Sequence, residues 1–131
     1  MVILADTSAW IEYLRGTGSA THVELRRLVE ETDVAITEPV VMEVLFGARS
    51  ERHLTQLRSL LSRASLVRCE TNDYREAAFL YRLCRANGET IRSPIDCLVA
   101  AIAVRAQVPV LHHDKDFDAL ARHTPLVAHR G

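Results

Sequence analysis

Short apolar runs alternate with longer amphipathic segments along the chain, and this alternation restricts the possible folds more than any other feature. The apolar runs are residues 2–5, 33–36, 65–67 and 108–111, with a fifth candidate at 126–128. Such continuous runs are typical of strands buried on both faces of a parallel sheet. The chain has no hairpin signal, repeat or low-complexity segment. We therefore expect βαβ units.

The segments between these runs favour helices. In residues 20–31, for example, Val23, Leu25, Leu28 and Val29 fall roughly on one helical face. Gly16 and Gly18 follow the first helical segment, and Gly88 follows the fifth, as is common at helix C-termini. The predicted helices are 8–15, 20–31, 38–48, 51–62, 72–87 and 94–106. The expected fold is α/β, with a mainly parallel sheet of four to five strands covered on both faces, in a single domain spanning residues 1–131.

Composition excludes several classes of protein. The chain is 48% apolar and 25% charged, which is ordinary for a soluble globular domain. No apolar run approaches the ~18 residues that span a bilayer. The first residues, MVILAD, lack the basic segment of a signal peptide, so we expect a cytoplasmic protein without a membrane partner. Three cysteines without a C-x-x-C pair indicate neither a disulfide framework nor a zinc site.

Net charge alone argues against a nucleic-acid partner. The formal charge is −1, from 16 basic and 17 acidic residues. If four acids were committed to a metal ion, however, the remaining surface would carry a basic excess. All basic residues except Lys115 are Arg, which suits bidentate phosphate contacts, although genomic base composition explains the same bias.

Two acids follow apolar strands, where ligand sites of open parallel sheets lie. Asp6 comes directly after the first strand, and Asp114 lies three residues beyond Leu111. Asp6, Thr7 and Ser8 are also favoured helix N-caps, so capping alone can explain that position.

Two further acids interrupt apolar helices. Glu43 has three apolar residues on each side, so we expect a largely buried carboxylate that needs a metal ion or an ion pair with Arg. Asp96 is the one polar residue between Ile95 and Val104. Ser93, Pro94 and Asp96 also resemble a capping box, and capping and metal binding explain Asp96 equally well.

The segment after the fourth strand contains alternating acids, Asp114, Asp116 and Asp118. Their spacing imitates a calcium loop, but Ala119 and Pro125 stand where that loop needs Gly and Glu. A solvated loop with one N-cap is enough to explain Asp116 and Asp118, and Asp114 is the acid nearest the strand end. A cluster of carboxylates without Cys or His ligands selects a hard ion, Mg²⁺ or Mn²⁺, and points to phosphoryl chemistry.

Four motifs in this order resemble the PIN-domain ribonucleases, and among them the VapC-type toxins of toxin–antitoxin pairs. The motifs are LADTSAW at 4–10, VMEVLFG at 41–47, SPIDCLVAA at 93–101 and HHDKDF at 112–117. The resemblance covers essentially the whole chain. It implies a three-layer α/β/α sandwich, an acidic Mg²⁺ or Mn²⁺ site, internal cleavage of RNA (tRNA or rRNA), an antitoxin that occupies the site, and a homodimer.

The resemblance also implies roles for individual residues. Asp6, Glu43, Asp96 and Asp114 match the four catalytic acids, with Asp6, Asp96 and Asp114 as metal ligands. Thr7 or Ser8 matches the hydroxyl beside the first acid, and Asp116 can share or replace the role of Asp114.

Three other functions compete with this interpretation. A phosphoacceptor signalling domain would need an acidic pair at the first strand end, where the sequence has only Asp6. A PIN-like binding module without catalysis would keep the acids. A metal-free ribonuclease would use His112 or His113 as its general base.

Overall fold

Five short parallel strands form the centre of the molecule. The computed structural model describes residues 1–131. Its strands are β1 (Ile3–Ala5), β2 (Val34–Ile36), β3 (Ser65–Leu66), β4 (Val110–Leu111) and β5 (Ala128–His129). All four neighbouring pairs are parallel, which confirms the predicted parallel sheet.

The strand order creates the crevice at which a site is expected. The order across the sheet is β3-β2-β1-β4-β5. Strands β2 and β3 thus lie on one side of β1, and β4 and β5 lie on its other side. Leu4 in β1 pairs with Ala35 on one side and with Val110 on the other. Because strand order reverses between β1 and β4, the carboxyl ends of these two strands border the crevice.

Seven helices cover the two faces of the sheet and confirm the three-layer α/β/α arrangement. They are α1 (Thr7–Arg15), α2 (Ala20–Glu30), α3 (Glu38–Phe46), α4 (Glu51–Leu61), α5 (Thr71–Ala86), α6 (Pro94–Ala106) and α7 (Lys115–His123). Helix α1 packs against α2 and α3, whereas α5 packs along α6 and both contact α7. None of these helices combines the length and the apolarity that crossing a bilayer requires.

Local sequence signals explain several helix ends. Gly16 ends α1 in the left-handed region at φ 59°, which glycine adopts without strain. Helix α5 begins with a capping box between Glu70 and Asp73. The Asp73 carboxylate, nearly inaccessible to solvent, pairs with Arg105 of α6 at 2.9 Å. This ion pair, buried only on the Asp73 side, joins the two helices to each other.

The C-terminal region differs most from the sequence prediction. The sequence predicts no helix after the fourth strand, whereas residues 115–123 form α7. The alternating acids concealed a helical apolar face, because Phe117 and Leu120, three residues apart, are both fully buried. Strand β5 occupies 128–129 rather than 126–128, because the main chain of His112 extends its pairing as far as the carbonyl of His129.

Candidate metal centre

Carboxylates from four helices or their caps meet beyond the carboxyl ends of β1 and β4. Asp6 is the N-cap of α1, and Asp114 is the N-cap of α7. Asp116 and Asp96 lie in the first turns of α7 and α6, and Glu43 belongs to α3. The helix N-termini bring the positive ends of their dipoles to this cluster, which favours negative charge there.

Three of these carboxylates form a tight group. Asp96, Asp114 and Asp116 each offer one oxygen, and these oxygens lie within 4.8 Å of one another. We call these three residues the aspartate triad. Asp116, interpreted from the sequence as a loop residue and secondary candidate, is 7% exposed and belongs to the triad. Asp6 lies outside it, although its charge acts on Asp96.

Asp6 combines capping with an unused oxygen. Its Oδ2 accepts hydrogen bonds from the backbone N–H of Ser8 at 2.9 Å and from the Ser8 hydroxyl at 2.7 Å. Its Oδ1 is buried and has no hydrogen-bond partner. Burial, opposed by the Ser8 hydrogen bonds, raises the pKa of Asp6 to about 6. Capping therefore accounts for only one of its two carboxylate oxygens.

Asp96 lies in the most unfavourable environment for a negative charge. Its Oδ2 is buried and accepts no hydrogen bond. Burial, followed by the charges of Asp6, Asp114 and Asp116, raises the pKa of Asp96 to about 8. The capping-box interpretation is wrong, because Ser93 caps α6 without a side-chain hydrogen bond. An unpaired buried carboxylate among other acids needs a proton or a cation.

Glu43 is less buried than the sequence predicted. Helix α3 leaves Met42 and Phe46 exposed by 42% and 76%, so its apolar composition does not reflect burial on all sides. Oε1 of Glu43 accepts a hydrogen bond of 2.6 Å from the Thr7 hydroxyl. Glu43 forms no ion pair, which removes the alternative of a salt bridge to Arg.

The triad acids at the N-cap and in the first turn of α7 accept hydrogen bonds from backbone N–H groups. Asp114 Oδ1 accepts from the N–H of Asp116 at 2.9 Å, and Asp116 Oδ2 accepts from the N–H of Arg92 at 3.1 Å. The Arg92 guanidinium lies 3.9 Å from Asp116 Oδ1 and is the only cation paired with any of the five acids. Asp118 belongs elsewhere, since it pairs with Arg130 at 2.6 Å.

Sequence reasoning missed Arg92 and the position of His112. Arg92 lies in an irregular segment before α6, and no motif distinguishes it from the other arginines. His112 is 1% exposed, and burial lowers its pKa to about 4. Its ring nitrogens face the N–H of Asp114 and the carboxylate of Asp118, so neither is open to a substrate as a general base.

Comparison with known proteins agrees with this architecture. The family model described as PIN domain matches residues 3–123. Ribonuclease VapC11 of Mycobacterium tuberculosis (strain H37Rv) is 47% identical over 130 residues, which cover 97% of each chain. Ribonuclease VapC51 of the same strain is 34% identical over 94 residues, covering 72% of this chain and 69% of VapC51.

Solved structures share the fold at low sequence identity. VapBC2 from Rickettsia felis, bound to a DNA fragment from its promoter, matches with a TM-score of 0.78 and 17% identity over 98% of each chain. VapBC-5 from Mycobacterium tuberculosis matches with a TM-score of 0.68 and 21% identity, covering 99% of this chain and 98% of that one. The fold, the motif order and the match over nearly the whole length thus agree, and the chain belongs to the PIN-domain family and, within it, to the VapC group.

Proposed function

We propose that this protein is an endoribonuclease that uses Mg²⁺ or Mn²⁺ and acts in the cytoplasm as the toxin of a toxin–antitoxin pair. The observation that carries the proposal is the aspartate triad beside two buried carboxylate oxygens without partners, on Asp6 and Asp96. The 47% identity to a protein named Ribonuclease VapC11 supports RNA as the substrate.

The donor set fits a hard divalent ion. Every group in the cluster is a carboxylate, and no Cys or His side chain belongs to the triad. All-oxygen sites select Mg²⁺ or Mn²⁺ over zinc. Asp96, Asp114 and Asp116 would hold the ion, and Oδ1 of Asp6 is available as a further ligand. Bound there, the ion would lower the pKa of a water molecule and neutralise charge on the scissile phosphate.

Glu43 is suited to handle the proton of the attacking water. Hydrolysis joins the water oxygen to phosphorus and breaks one P–O ester bond, so a proton must leave the water. Thr7 holds Oε1 of Glu43, whereas Oε2 accepts no hydrogen bond from the protein. Because Glu43 is half-buried rather than enclosed, Oε2 can face the solvent and the substrate. We assign to Glu43 the orientation of the water and the acceptance of its proton.

An assay of metal dependence tests the catalytic proposal. Purified protein should cleave a mixture of tRNA and rRNA with Mn²⁺, lose cleavage in EDTA, and regain it when Mn²⁺ is restored. Protein carrying Asp96→Asn, purified in the same way, is the control for contaminating nucleases and should remain inactive throughout. Undiminished cleavage in EDTA by the unmodified protein would overturn the metal mechanism.

The partner proposal concerns the same cluster. Clustered carboxylates with one paired cation repel one another, so a guanidinium inserted by an antitoxin should bind well. Replacing the inserted Arg of the antitoxin with Ala should loosen the complex or restore cleavage. If neither changes, inhibition does not use this pocket.

The protein is also proposed to form a homodimer. Helices α3 and α5 expose large apolar side chains that a second copy would cover: Met42, Phe46, Tyr74 and Phe79. Light scattering on the purified chain should report twice the mass of 14.7 kDa, and Phe46→Glu should shift it toward the monomer. A monomeric unmodified chain would contradict this assignment.

A further inference from the structure

His112 is fixed by its backbone at the carboxyl end of β4. Its N–H donates to the carbonyl of His129 at 3.0 Å, which continues the β4–β5 pairing. Its carbonyl lies 3.2 Å from the hydroxyl of Thr21, which also contacts the carbonyl of Arg130. These two contacts hold the residue between β5 and α2, so the ring projects from an anchored position.

The two ring nitrogens of His112 have different partners. Nδ1 lies 3.1 Å from the backbone nitrogen of Asp114, and Nε2 lies 3.5 Å from Oδ1 of Asp118. A backbone N–H can only donate, so Nδ1 must offer its lone pair and the ring proton resides on Nε2. The geometry therefore selects one tautomer, with the proton directed toward a carboxylate.

The hydrogen bond at Nδ1 connects His112 to a residue of the aspartate triad, Asp114. It fixes the peptide that precedes the Cα of Asp114, and Asp114 Oδ1 then caps α7 through the N–H of Asp116. The ring also packs against Phe117 in the first turn of α7, with ring centroids 5.3 Å apart and the ring planes tilted by 34°. One imidazole thus contacts the start of α7 at the residues around the two acids.

We propose that His112 is a positioning residue whose Nδ1 lone pair sets the Asp114 peptide, and with it the carboxylates of Asp114 and Asp116 around the metal ion. This inference rests on the proposed metal site. Histidine rings usually serve metal sites as ligands or by hydrogen-bonding a ligand's side chain. Here the ring acts on the backbone of a ligand residue. The alternative is that the ring merely fills space beside Phe117.

Three substitutions separate these two roles. His112→Asn places an amide oxygen near the position of Nδ1, so it keeps an acceptor for the Asp114 N–H. His112→Gln places its acceptor near the position of Nε2 instead, and His112→Phe keeps the ring but removes both nitrogens. If the ring only fills space, Phe is the best replacement and Asn is the worst.

Calorimetric titration of the full chain with Mn²⁺ gives the main readout. Partners that orient metal ligands typically change metal affinity by about 10- to 100-fold. We expect His112→Phe and His112→Gln to weaken Mn²⁺ binding at least about tenfold, and His112→Asn to stay within about threefold of the unmodified protein. Equal losses in Asn and Gln, or no loss in Phe and Gln, would overturn the proposal. The Asn and Gln pair decides the result even if the Phe variant does not fold.

Hydrogen exchange of the Asp114 amide gives a readout without metal. In EDTA, this amide should exchange slowly in the unmodified protein and in His112→Asn, and faster in His112→Gln. An unprotected amide in the unmodified protein would refute the hydrogen bond itself. If the unmodified protein bound no Mn²⁺ while the amide behaved as expected, the metal proposal would fail and the contact to the Asp114 peptide would stand.

Discussion

The hydroxyl of Thr7 donates a hydrogen bond of 2.6 Å to Oε1 of Glu43 and thereby joins the first turn of α1 to α3. Thr7 directly follows Asp6, so the bond connects the residue beside the acid after β1 with the acid of α3. Glu43 has no ion-pair partner, and its carboxylate accepts a hydrogen bond only from this hydroxyl. The orientation of Glu43 therefore depends on a residue of another helix.

Thr7→Val should lower the cleavage rate without weakening metal binding. Valine keeps the shape of threonine but removes the donor to Glu43, and hydrogen bonds to charged groups contribute about 1.5–3 kcal/mol. The expected loss in kcat is about tenfold or more. Thr7→Ser keeps the hydroxyl and is the matched control. The prediction fails if Mn²⁺ affinity drops together with kcat, because Glu43 would then act as a ligand.

Asp96→Asn should make the protein in EDTA as stable as the unmodified protein or more so. The substitution places a neutral amide where the folded protein must otherwise take up a proton or hold a buried charge beside other acids. In excess Mg²⁺ the order should reverse, because an ion at about 100 times its dissociation constant stabilises the folded state by about 2.7 kcal/mol. Thermal unfolding of both proteins with EDTA and with Mg²⁺ checks this.

Asp33→Asn is a suitable control for that experiment. Asp33 directly precedes β2 and therefore lies at the amino end of that strand, not at the carboxyl ends that border the site. It should leave the Mg²⁺-dependent shift unchanged. An Asp96→Asn protein that kept the full shift and cleaved RNA normally would remove Asp96 from the site.

The stability of the protein in EDTA should fall as pH rises from about 6.5 to 8. The folded state keeps a proton on Asp96, with its pKa raised to about 8, after the unfolded chain has released it. The free energy of unfolding then falls by up to about 1.4 kcal/mol per pH unit. Below this range, the two residues Asp6 and His112 have opposite effects on how stability depends on pH. The raised pKa of Asp6 makes the free energy of unfolding fall as pH rises, whereas the lowered pKa of His112 makes it increase.

Urea unfolding in EDTA at several pH values measures this slope, and Asp96→Asn should flatten it. Mn²⁺ affinity should rise over the same range, because the ion displaces the proton. A protein whose stability in EDTA increased between pH 6.5 and 8 would contradict the assignment of the raised pKa to Asp96.

Arg92→Ala should weaken RNA binding and reduce its dependence on salt. The side chain of Arg92 is 68% exposed and lies next to Asp116, where a phosphate of the substrate would approach. Loss of one phosphate contact on a single strand should lower the slope of log K against log salt by about 0.7. Filter binding in an Asp96→Asn background, which prevents cleavage, gives the slope. Arg63→Ala, exposed just before β3 at the other edge of the sheet, should leave it unchanged.

The sheet was predictable because continuous apolar runs identify buried parallel strands. The positions of Asp6 and Asp114 followed from the same runs, since the residue after a strand lies at a known edge. Helix α7 was not predictable in this way. Its three alternating acids imitate a polar loop, and only the packing of Phe117 and Leu120 shows which face is inside.

Asp96 and Glu43 show that apolar neighbours in the sequence do not reliably predict the burial of a carboxylate. Their apolar neighbours predicted burial for both. Asp96 is indeed 7% exposed, whereas Glu43 is half-buried on a helix that also leaves Phe46 exposed to solvent. The sequence alone does not show which apolar side chains of a helix are exposed to solvent in the single chain. Nor does it show the pairing of His112 with the Asp114 peptide, which depends on how the loop after β4 closes.

The capping roles of Asp6 and Asp114 have an evolutionary consequence. Each carboxylate accepts a backbone N–H two residues ahead, so each position is selected for helix capping as well as for its charge. A lineage that abandoned catalysis would be free to replace Asp96 with an apolar residue, since no capping bond depends on it. At positions 6 and 114 the same lineage would retain Asn, Ser or Thr. The pattern of decay in such a descendant would therefore distinguish residues that serve only the ion from residues that also hold the fold.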